Sequence, residues 1–301
     1  MRERHGVYGA IPAGLADVPP GAEQFSPLVP GSLSLETVVE ESLASITVLA
    51  PPGTLERRYV LALSLRSLQI GGRLVALAPR NRGGTRLRGE LTEFGIAAAE
   101  TARAHFRLCE GMRPKQPAGI AGAIASGALQ YVAATGLWSQ PGIFGWDRID
   151  AGSRLLAGHL PSFRGHGADL GCGAGYLARR ILESKDVESI LLADIDRRAI
   201  EAARRNVVDP RAGFQWTDAT VAIATGLDFV VTNPPFHEGG AENRALGLAV
   251  ARAASGALRK GGELWLVANR HLSYAPALRD AIAAVTTVAQ DTEFAVYRGV
   301  K

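Results

Sequence analysis

The chain has 301 residues, 47% of them apolar and 21% charged, with a formal net charge of +4. That length and composition suit about two globular domains and exclude a disordered, collagenous or coiled-coil chain. Two cysteines, Cys109 and Cys172, are too few for a disulfide framework or a four-cysteine metal site, so a reducing compartment and no bound metal are expected. No stretch reaches the roughly 18 apolar residues of a membrane span, and MRERHGVYGAIPAGLADVPPG at the start lacks the apolar core of a signal peptide. A cytoplasmic protein without membrane association is the expectation.

Four of the 33 basic residues are lysines, leaving 29 arginines. A guanidinium pairs with phosphate and stacks on bases, which suits a nucleic-acid partner, although an Ala-, Gly- and Arg-rich chain is also what a GC-rich genome yields. Residues 1–115 carry 14 basic and 11 acidic side chains. Within them Arg80, Arg82, Arg86 and Arg88 share the acid-free stretch PRNRGGTRLRG, read as a basic, RNA-binding loop after a strand.

Residues 1–34 are rich in Pro and Gly with little periodicity and are expected to be extended or loosely packed. LETVVEESLA then reads as a helix, SITVLA as a buried strand, TLERRYVLALSLRSL as an amphipathic helix and GGRLVALAP as a second strand. ELTEFGIAAAETARAHFRLCEG is expected to be helical, and PKQPAG with the small-residue run to Gly136 to connect two domains. The domain boundaries expected are therefore 1–34, a small domain over 35–115, a linker over 116–140 and a second domain over 141–301.

The second domain alternates more regularly. GHGADLGCGAG runs from strand into loop, followed by YLARRILES (helix), SILLADID (strand), RRAIEAARRNV (helix) and GFQW (short strand). FVVTNPPF, the helix LGLAVARAASGAL, GGELWLVAN, a further helix and a closing pair around TTVAQ and EFAVYRG complete it. This is the pattern of a doubly wound, mostly parallel α/β sheet. Comparison of the halves shows a faint repeat: ITVLAPP (46–52) resembles FVVTNPP (229–235), each followed by a helix and then GGRLVALA or GGELWLVA. In that comparison Ala50 stands where Asn233 does.

Asp169, Gly171, Gly173 and Gly175 form DLGCGAG between a strand and a helix. Glycines there let the backbone turn tightly and approach a ligand that a Cβ excludes. Nineteen residues after Gly175, Asp194 ends the next strand, where a carboxylate accepts hydrogen bonds from ribose hydroxyls; Asp196 is its rival. The spacing is GxGxG with Tyr176 following, not the GxGxxG of a dinucleotide fold. Asp169 repels a pyrophosphate but suits the cationic amino-acid end of S-adenosylmethionine. Asp218, in WTDA after the third strand, is placed for an adenine amine.

Asn233, Pro234, Pro235 and Phe236 follow the strand DFVV. Two prolines fix φ and remove two donors, leaving carbonyl acceptors. The Asn amide oxygen and the Pro234 carbonyl can accept both hydrogens of a planar conjugated amine and aim its lone pair at a methyl group. Phe236 offers a face to the substrate's π-system. No strong base is required, because positioning is the main contribution to direct displacement at a sulfonium.

On DLGCGAG, LLADID and NPPFH the chain, from about Pro141 to Lys301, resembles the class I S-adenosylmethionine methyltransferases. Within them it resembles the ribosomal RNA small subunit methyltransferase C-like, guanine-N2 enzymes, whose flanks PGIFGWDRIDAGSRLL and FAVYRG match. The resemblance implies a seven-stranded Rossmann-like catalytic sheet preceded by a smaller degenerate copy that guides RNA. It implies methyl transfer to the N2 amine of a guanosine in ribosomal RNA or a ribosomal subunit, small-subunit RNA before large. Asn233 to Phe236 then hold the base, while Asp169, Gly171, Cys172, Gly173, Gly175, Asp194, Ile195, Asp218, Ala219 and Asn233 hold the cofactor. Phe144, Asp150, Ser153 and His237 are secondary candidates, His237 as a late proton acceptor or as a residue that shapes the pocket. Adenine-N6 or protein glutamine-N5 methylation through the same tetrapeptide, and a non-catalytic RNA-binding assembly factor, are the alternatives. Nothing in the sequence sets the oligomeric state, and a monomer is the simplest expectation.

Overall fold

A computed structural model describes residues 3–221, 224–234, 237–238, 241–242, 244–272 and 278–301. The chain divides into two units, residues 1–129 with 140–142, and residues 130–139 with 143–301.

The first unit contains β1 (His5–Tyr8), β2 (Glu23–Gln24), β3 (Leu43–Leu49), α1 (Thr54–Ser67), β4 (Leu68–Pro79), α2 (Thr85–Glu93), β5 (Ala99–Arg103), β6 (Phe106–Met112) and α3 (Ile120–Gly127). Its sheet has the order β2-β1-β3-β4-β6-β5. The first four strands are parallel, and β6 and β5 are antiparallel additions. Phe25, Leu43, Ile46, Leu61, Leu65 and Phe94 are fully buried in its core.

Five expectations for this unit are corrected. Residues 1–34 are not a loose leader: they supply two strands and the buried Tyr8, Leu15 and Phe25. LETVVEESLA makes only a single 3-10 turn, Leu35–Thr37, and Glu41 takes a positive φ of 55°. The segment from Glu90 is helical only to Glu93. There Gly95 adopts φ 86°, the Ile96 N–H bonds the Leu91 carbonyl and the Gly95 N–H bonds the Thr92 carbonyl, which is a Schellman stop. Beyond the stop the chain forms the β5–β6 hairpin, turned by Ala104 and His105 with φ of 45° and 66°, a positive-φ pair without the usual Asn-Gly signature. The expected linker contains α3, which packs on α1 so closely that a Cβ at Gly127 would sit 2.3 Å from the Tyr59 Cβ. The basic stretch is not all loop either. Residues 80–84 form a wide turn, and Arg86 and Arg88 lie on α2.

Arg57, in α1, is fully buried. Its Nε and Nη2 donate to the two carboxylate oxygens of Glu90 at 2.7 and 2.6 Å, and Nη1 donates to the carbonyls of Pro51 and Pro52 at 3.1 and 2.8 Å. Gly83, at φ 92°, closes over it, where a Cβ would sit 2.3 Å from Nη1.

The second unit contains β7 (Gln130–Val132), β8 (Leu137–Ser139), α4 (Ala151–Ala157), β9 (Gly165–Leu170), α5 (Tyr176–Ile181), β10 (Val187–Asp194), α6 (Arg197–Asn206) and β11 (Ala212–Trp216). It continues with β12 (Leu227–Thr232), β13 (His237–Glu238), β14 (Ala241–Glu242), α7 (Arg244–Ala257), β15 (Leu258–Asn269), β16 (Thr286–Gln290) and β17 (Phe294–Val300). Seven strands run β11-β10-β9-β12-β15-β17-β16, parallel through β15 and antiparallel at β17 and β16. Both faces are covered, which is why the central strands read as continuous apolar runs. Val230, Leu264 and Leu266 pack with α7 residues Val250, Ala251 and Ala254, while Val231, Trp265 and Val267 pack on the other face with Leu156, Phe163 and Leu177. Where a further helix is expected after GGELWLVAN there is a 3-10 turn, Arg270–Leu272, and residues 273–277 lie outside the described residues.

Six strands of the first sheet repeat, in order and direction, six of the second: β2-β1-β3-β4-β6-β5 corresponds to β10-β9-β12-β15-β17-β16. The ladders correct the motif comparison by one residue. Ile46 pairs with Leu74 as Val230 pairs with Leu264, so Leu49, not Ala50, stands in the place of Asn233. The Pro-Pro step lies one residue further beyond the strand in the first unit.

Removing one member of a buried ion pair leaves the other charge uncompensated. Arg57→Ala is therefore expected to destabilise the first unit by about 3–5 kcal/mol. The paired replacement Arg57→Met with Glu90→Leu should recover part of that loss, because it removes the stranded charge but leaves the Pro51 and Pro52 carbonyls without their donor. Urea unfolding followed by hydrogen exchange within α1 and α2 checks both.

Candidate active site

Strand order reverses at β9, since β10 and β11 lie to one side and β12 to the other. Ligands of open α/β sheets bind in the crevice at the carboxyl ends of the strands at such a switch point. The pairing Thr232↔Leu170 sets the residues after β9 and β12 side by side. The Thr232 hydroxyl, fully buried, donates to the Leu170 carbonyl at 2.7 Å and ties the two strand ends together. Gly171 consequently lies beside Asn233, whose backbone oxygen is 3.8 Å from the position of a Gly171 Cβ.

Gly171, Gly173 and Gly175 have φ of 69°, 52° and 86°, a left-handed run that only glycine adopts without strain. At Gly175 a Cβ would also meet Val207 at 2.9 Å. The Gly171 and Cys172 N–H groups bond the Ala193 carbonyl, and the Gly173 N–H bonds Asp194 Oδ2 at 2.9 Å. Asp194 Oδ1 accepts from the Asp196 N–H at 2.9 Å. Burial is the main reason its carboxyl is pushed up to about 6. Asp196, the rival for the ribose, is committed elsewhere: it caps α6 through the Arg198 N–H and pairs with the Arg198 guanidinium at 2.7 Å.

Asp169 is fully buried, and neither carboxylate oxygen has a hydrogen bond of normal geometry. Burial first, and the charge of Asp194 second, push its carboxyl up to about 7; the Ala178 N–H offsets this slightly. A buried carboxylate without a partner is costly in its charged form, and a cation placed beside it offsets that cost. Cys172 is buried, with its thiol held well above the usual range by burial, and is a wall residue and not a nucleophile. Ile195 offers its carbonyl to the Trp216 indole N–H at 2.8 Å. Asp218 is exposed, its Oδ1 taken by the Thr220 N–H and hydroxyl, and Ala219 is buried.

On the β12 side, the Asn233 side-chain nitrogen donates to Asp150 Oδ2 at 2.9 Å and to the Ser153 hydroxyl at 2.8 Å. The same Asp150 oxygen accepts from the Ser153 N–H and caps α4. A carboxylate only accepts, so the amide orientation is fixed by chemistry: nitrogen toward Asp150, Oδ1 toward the crevice. Asp150 and Ser153, ranked secondary in the sequence, are thus brought directly onto Asn233. Phe144 is 67% exposed and takes no part in this set of hydrogen bonds. Pro234 is buried. Pro235 and Phe236 lie outside the described residues, and His237 is described as the first backbone position of β13.

Two contributors were not legible from motifs. Asn206, at the end of α6, donates to the carbonyls of Trp138 and Ala174 at 2.8 and 2.9 Å and accepts from the Trp138 N–H at 2.7 Å, clamping the glycine loop. Thr232 is the other. Both sit in apolar or helical runs where a single polar residue carries no spacing signal. Among the described residues no group of three or more His, Cys, Asp or Glu is arranged to hold a metal.

Residues 134–298 match the family model of the methyltransferase small domain. Ribosomal RNA small subunit methyltransferase C of Pseudomonas paraeruginosa is 29% identical over 291 residues, covering 91% of this chain and 84% of that protein. Its counterpart in Pseudomonas aeruginosa is 30% identical over 267 residues, covering 83% and 77%. Ribosomal RNA large subunit methyltransferase G of Streptomyces avermitilis is 37% identical over 166 residues, covering 53% of this chain and 44% of that protein. In fold, the chain is similar to the T. thermophilus 16S rRNA N2 methyltransferase solved in complex with AdoMet and guanosine, with a TM-score of 0.79 at 20% identity over 100% of this chain and 89% of that one.

The Asp169 carboxyl ionises near pH 4 in an unfolded chain and at about 7 when folded. The folded protein holds the extra proton between these values, so this residue costs stability as pH rises through that window and the cost stays constant above it. Asp169→Asn is expected to raise the melting temperature of the ligand-free protein at about pH 8 and to change it little at about pH 4. The same variant should weaken binding of a cationic ligand at the glycine loop, and thermal scans with and without S-adenosylmethionine read both effects.

Proposed function

The chain belongs to the methyltransferase small domain family, and within it to the ribosomal RNA small subunit methyltransferase C group, and from that premise we propose that it methylates the exocyclic N2 amine of a guanosine in small-subunit ribosomal RNA. S-adenosylmethionine supplies, when bound, an electrophilic methyl group on a sulfonium. The observation that carries the reading is the locked Asn233 amide, whose nitrogen is engaged by Asp150 and Ser153 so that Oδ1 is presented as an acceptor.

Asp169 takes the ammonium end of the cofactor, Asp194 the ribose and Asp218 the adenine amine. Gly171, Gly173 and Gly175 allow close approach of the backbone, while Cys172, Ile195 and Ala219 line the site. Asn233 Oδ1 and the Pro234 carbonyl accept the two hydrogens of the guanine amine, which draws its nitrogen lone pair out of conjugation and points it at the methyl carbon. The nitrogen–carbon bond forms as the carbon–sulfur bond breaks, and the excess proton leaves the amine afterwards; His237 is the nearest candidate acceptor in the sequence. Pro235 and Phe236 complete the holder for the base.

Arg80, Arg82, Arg86 and Arg88 of the first unit serve as phosphate contacts. Arg80, Arg86 and Arg88 are exposed, Arg82 is half-buried, and none of the four has a salt bridge among the described residues. The protein acts in the cytoplasm as a single chain; among the described residues no helix is long and apolar enough to cross a membrane. A large-subunit target is the second reading, favoured by the 37% identity of the catalytic half to the Streptomyces avermitilis relative.

Nucleoside mass spectrometry of unmethylated ribosomal subunits and naked ribosomal RNA after incubation with labelled S-adenosylmethionine tests the reading. The expected product is N2-methylguanosine in small-subunit RNA; N6-methyladenosine, or label in protein alone, overturns it. Asn233→Ala should lower kcat about 10²–10³-fold, the range for a lost preorganised polar contact, with cofactor affinity retained. Asp150→Asn, which permits the amide to flip, should cost about tenfold in kcat. Replacing all four arginines by alanine should reduce the slope of log affinity against log salt by about three.

A further inference from the structure

Helix α6 carries three arginines already stacked on aromatic rings. Arg197 and Arg204, seven residues apart and so on one stripe of the helix, lie over Trp216 at 5.4 Å and Phe214 at 4.8 Å, two residues on one face of β11. Arg205 lies 4.7 Å over the Trp138 ring of the β7–β8 hairpin. Trp138 in turn meets Tyr131 edge-to-face at 6.1 Å, and Tyr131 is 58% exposed. Arg179 reaches the same hairpin, donating to the Gly136 carbonyl at 3.4 Å.

Arg197 is paired with Glu201 on the same helix, and among the described residues the remaining arginines of this surface are not. Arg180, Arg198, Arg211, Arg259 and Arg298 of the second unit sit in ion pairs. Arg179, Arg204 and Arg205 have no carboxylate within salt-bridge distance among the described residues, and the hairpin sequence QYVAATGLWS contains no acid. A guanidinium held over a ring has lost rotamer freedom and keeps N–H groups for a further acceptor, which suits phosphate. An exposed Tyr backed by Trp is a platform on which an unpaired base stacks. The platform is also wired to the chemistry: Asn206 holds both the Trp138 backbone and the Ala174 carbonyl of the glycine loop.

We infer that the α6 arginine stripe and the Tyr131–Trp138 hairpin form an RNA-contact surface on the catalytic unit itself, gripping phosphates with Arg204 and Arg205 and stacking an unpaired base on Tyr131. The inference rests on the RNA reading above and adds to it a second contact region, separate from the basic stretch of the first unit. It also gives the catalytic unit its own means of holding single-stranded or looped RNA close to the cofactor loop.

The test uses the full chain and in vitro transcribed small-subunit ribosomal RNA. Tyr131→Ala should weaken RNA binding about tenfold, the order of one lost base–ring stack, and raise KM for RNA without changing kcat or the Kd for S-adenosylmethionine. The double variant Arg204→Ala with Arg205→Ala should lower the salt slope by about 1.4. Tyr131→Phe, which keeps the ring, should bind like the parent. Parent-like affinity and salt slope in Tyr131→Ala and in the double arginine variant overturn the inference, as does a lowered melting temperature with unchanged RNA affinity. That failure is distinct from failure of the functional reading: a parent protein that makes N2-methylguanosine while the variants bind normally sinks only the surface. A parent protein that binds RNA without methylating guanine sinks only the function.

Discussion

The parallel pairing of β9 with β12 is the constraint on which the site depends. Four consecutive residue pairs, ending at Thr232↔Leu170, bring the ends of two strands that are 62 residues apart in sequence to the same edge of the sheet. Because strand order reverses there, no helix crosses over that edge and the crevice stays open. Everything specific to the site is a consequence of what happens one residue later: β9 runs into glycines with left-handed φ, and β12 runs into Asn and then Pro. The sheet supplies rigidity, and the chemistry is carried by the two turns.

Rigid turns let the protein hold groups in states that water would not tolerate. Asp169 is kept buried beside Asp194, at a cost in stability that grows with pH, and a positive ligand relieves both burial and mutual repulsion. Asn233 is held in one of two nearly isosteric orientations by an acceptor-only partner. In both cases the free energy of the fold is used to prepare polarity in advance, so that little reorganisation is left for the moment of binding or reaction.

Much of this was legible in the sequence, and the parts that were not share a physical reason. The catalytic sheet announced itself through long apolar strands and glycine spacing, because burial on both faces forces that composition. Asp150 and Ser153 were named only as secondary candidates, since a helix cap that also orients a side chain 80 residues away leaves no local periodicity. The first unit was harder. Its β1 and β2 are four and two residues long, and a loop joins them where a glycine turn and a helix join β9 to β10, so a Pro/Gly-rich stretch read as a loose leader holds the sheet positions of β9 and β10. The β5–β6 hairpin hid in an Ala-rich stretch with helical composition, where the decisive features were the Gly95 stop and a turn built on Ala104 and His105.

The repeat offers an internal control on the role of the carbonyls beyond β12. In the first unit, where Leu49 holds the sheet position of Asn233 and no glycine cradle exists, the Pro51 and Pro52 carbonyls are not left bare. They accept hydrogen bonds from the Arg57 guanidinium, whose other two nitrogens bond Glu90. A guanidinium is three nitrogens on one planar carbon, the fragment that guanine contains as N1, N2 and N3 around C2. A Pro-Pro step past a strand end leaves carbonyls that a fold must satisfy when they are buried, and this one satisfies them with a planar N–H donor of its own. In the second unit α7 begins nine residues after Pro235, whereas α1 begins two residues after Pro52. The first unit thus fills its acceptor set from within, with a guanidinium held in place by Glu90.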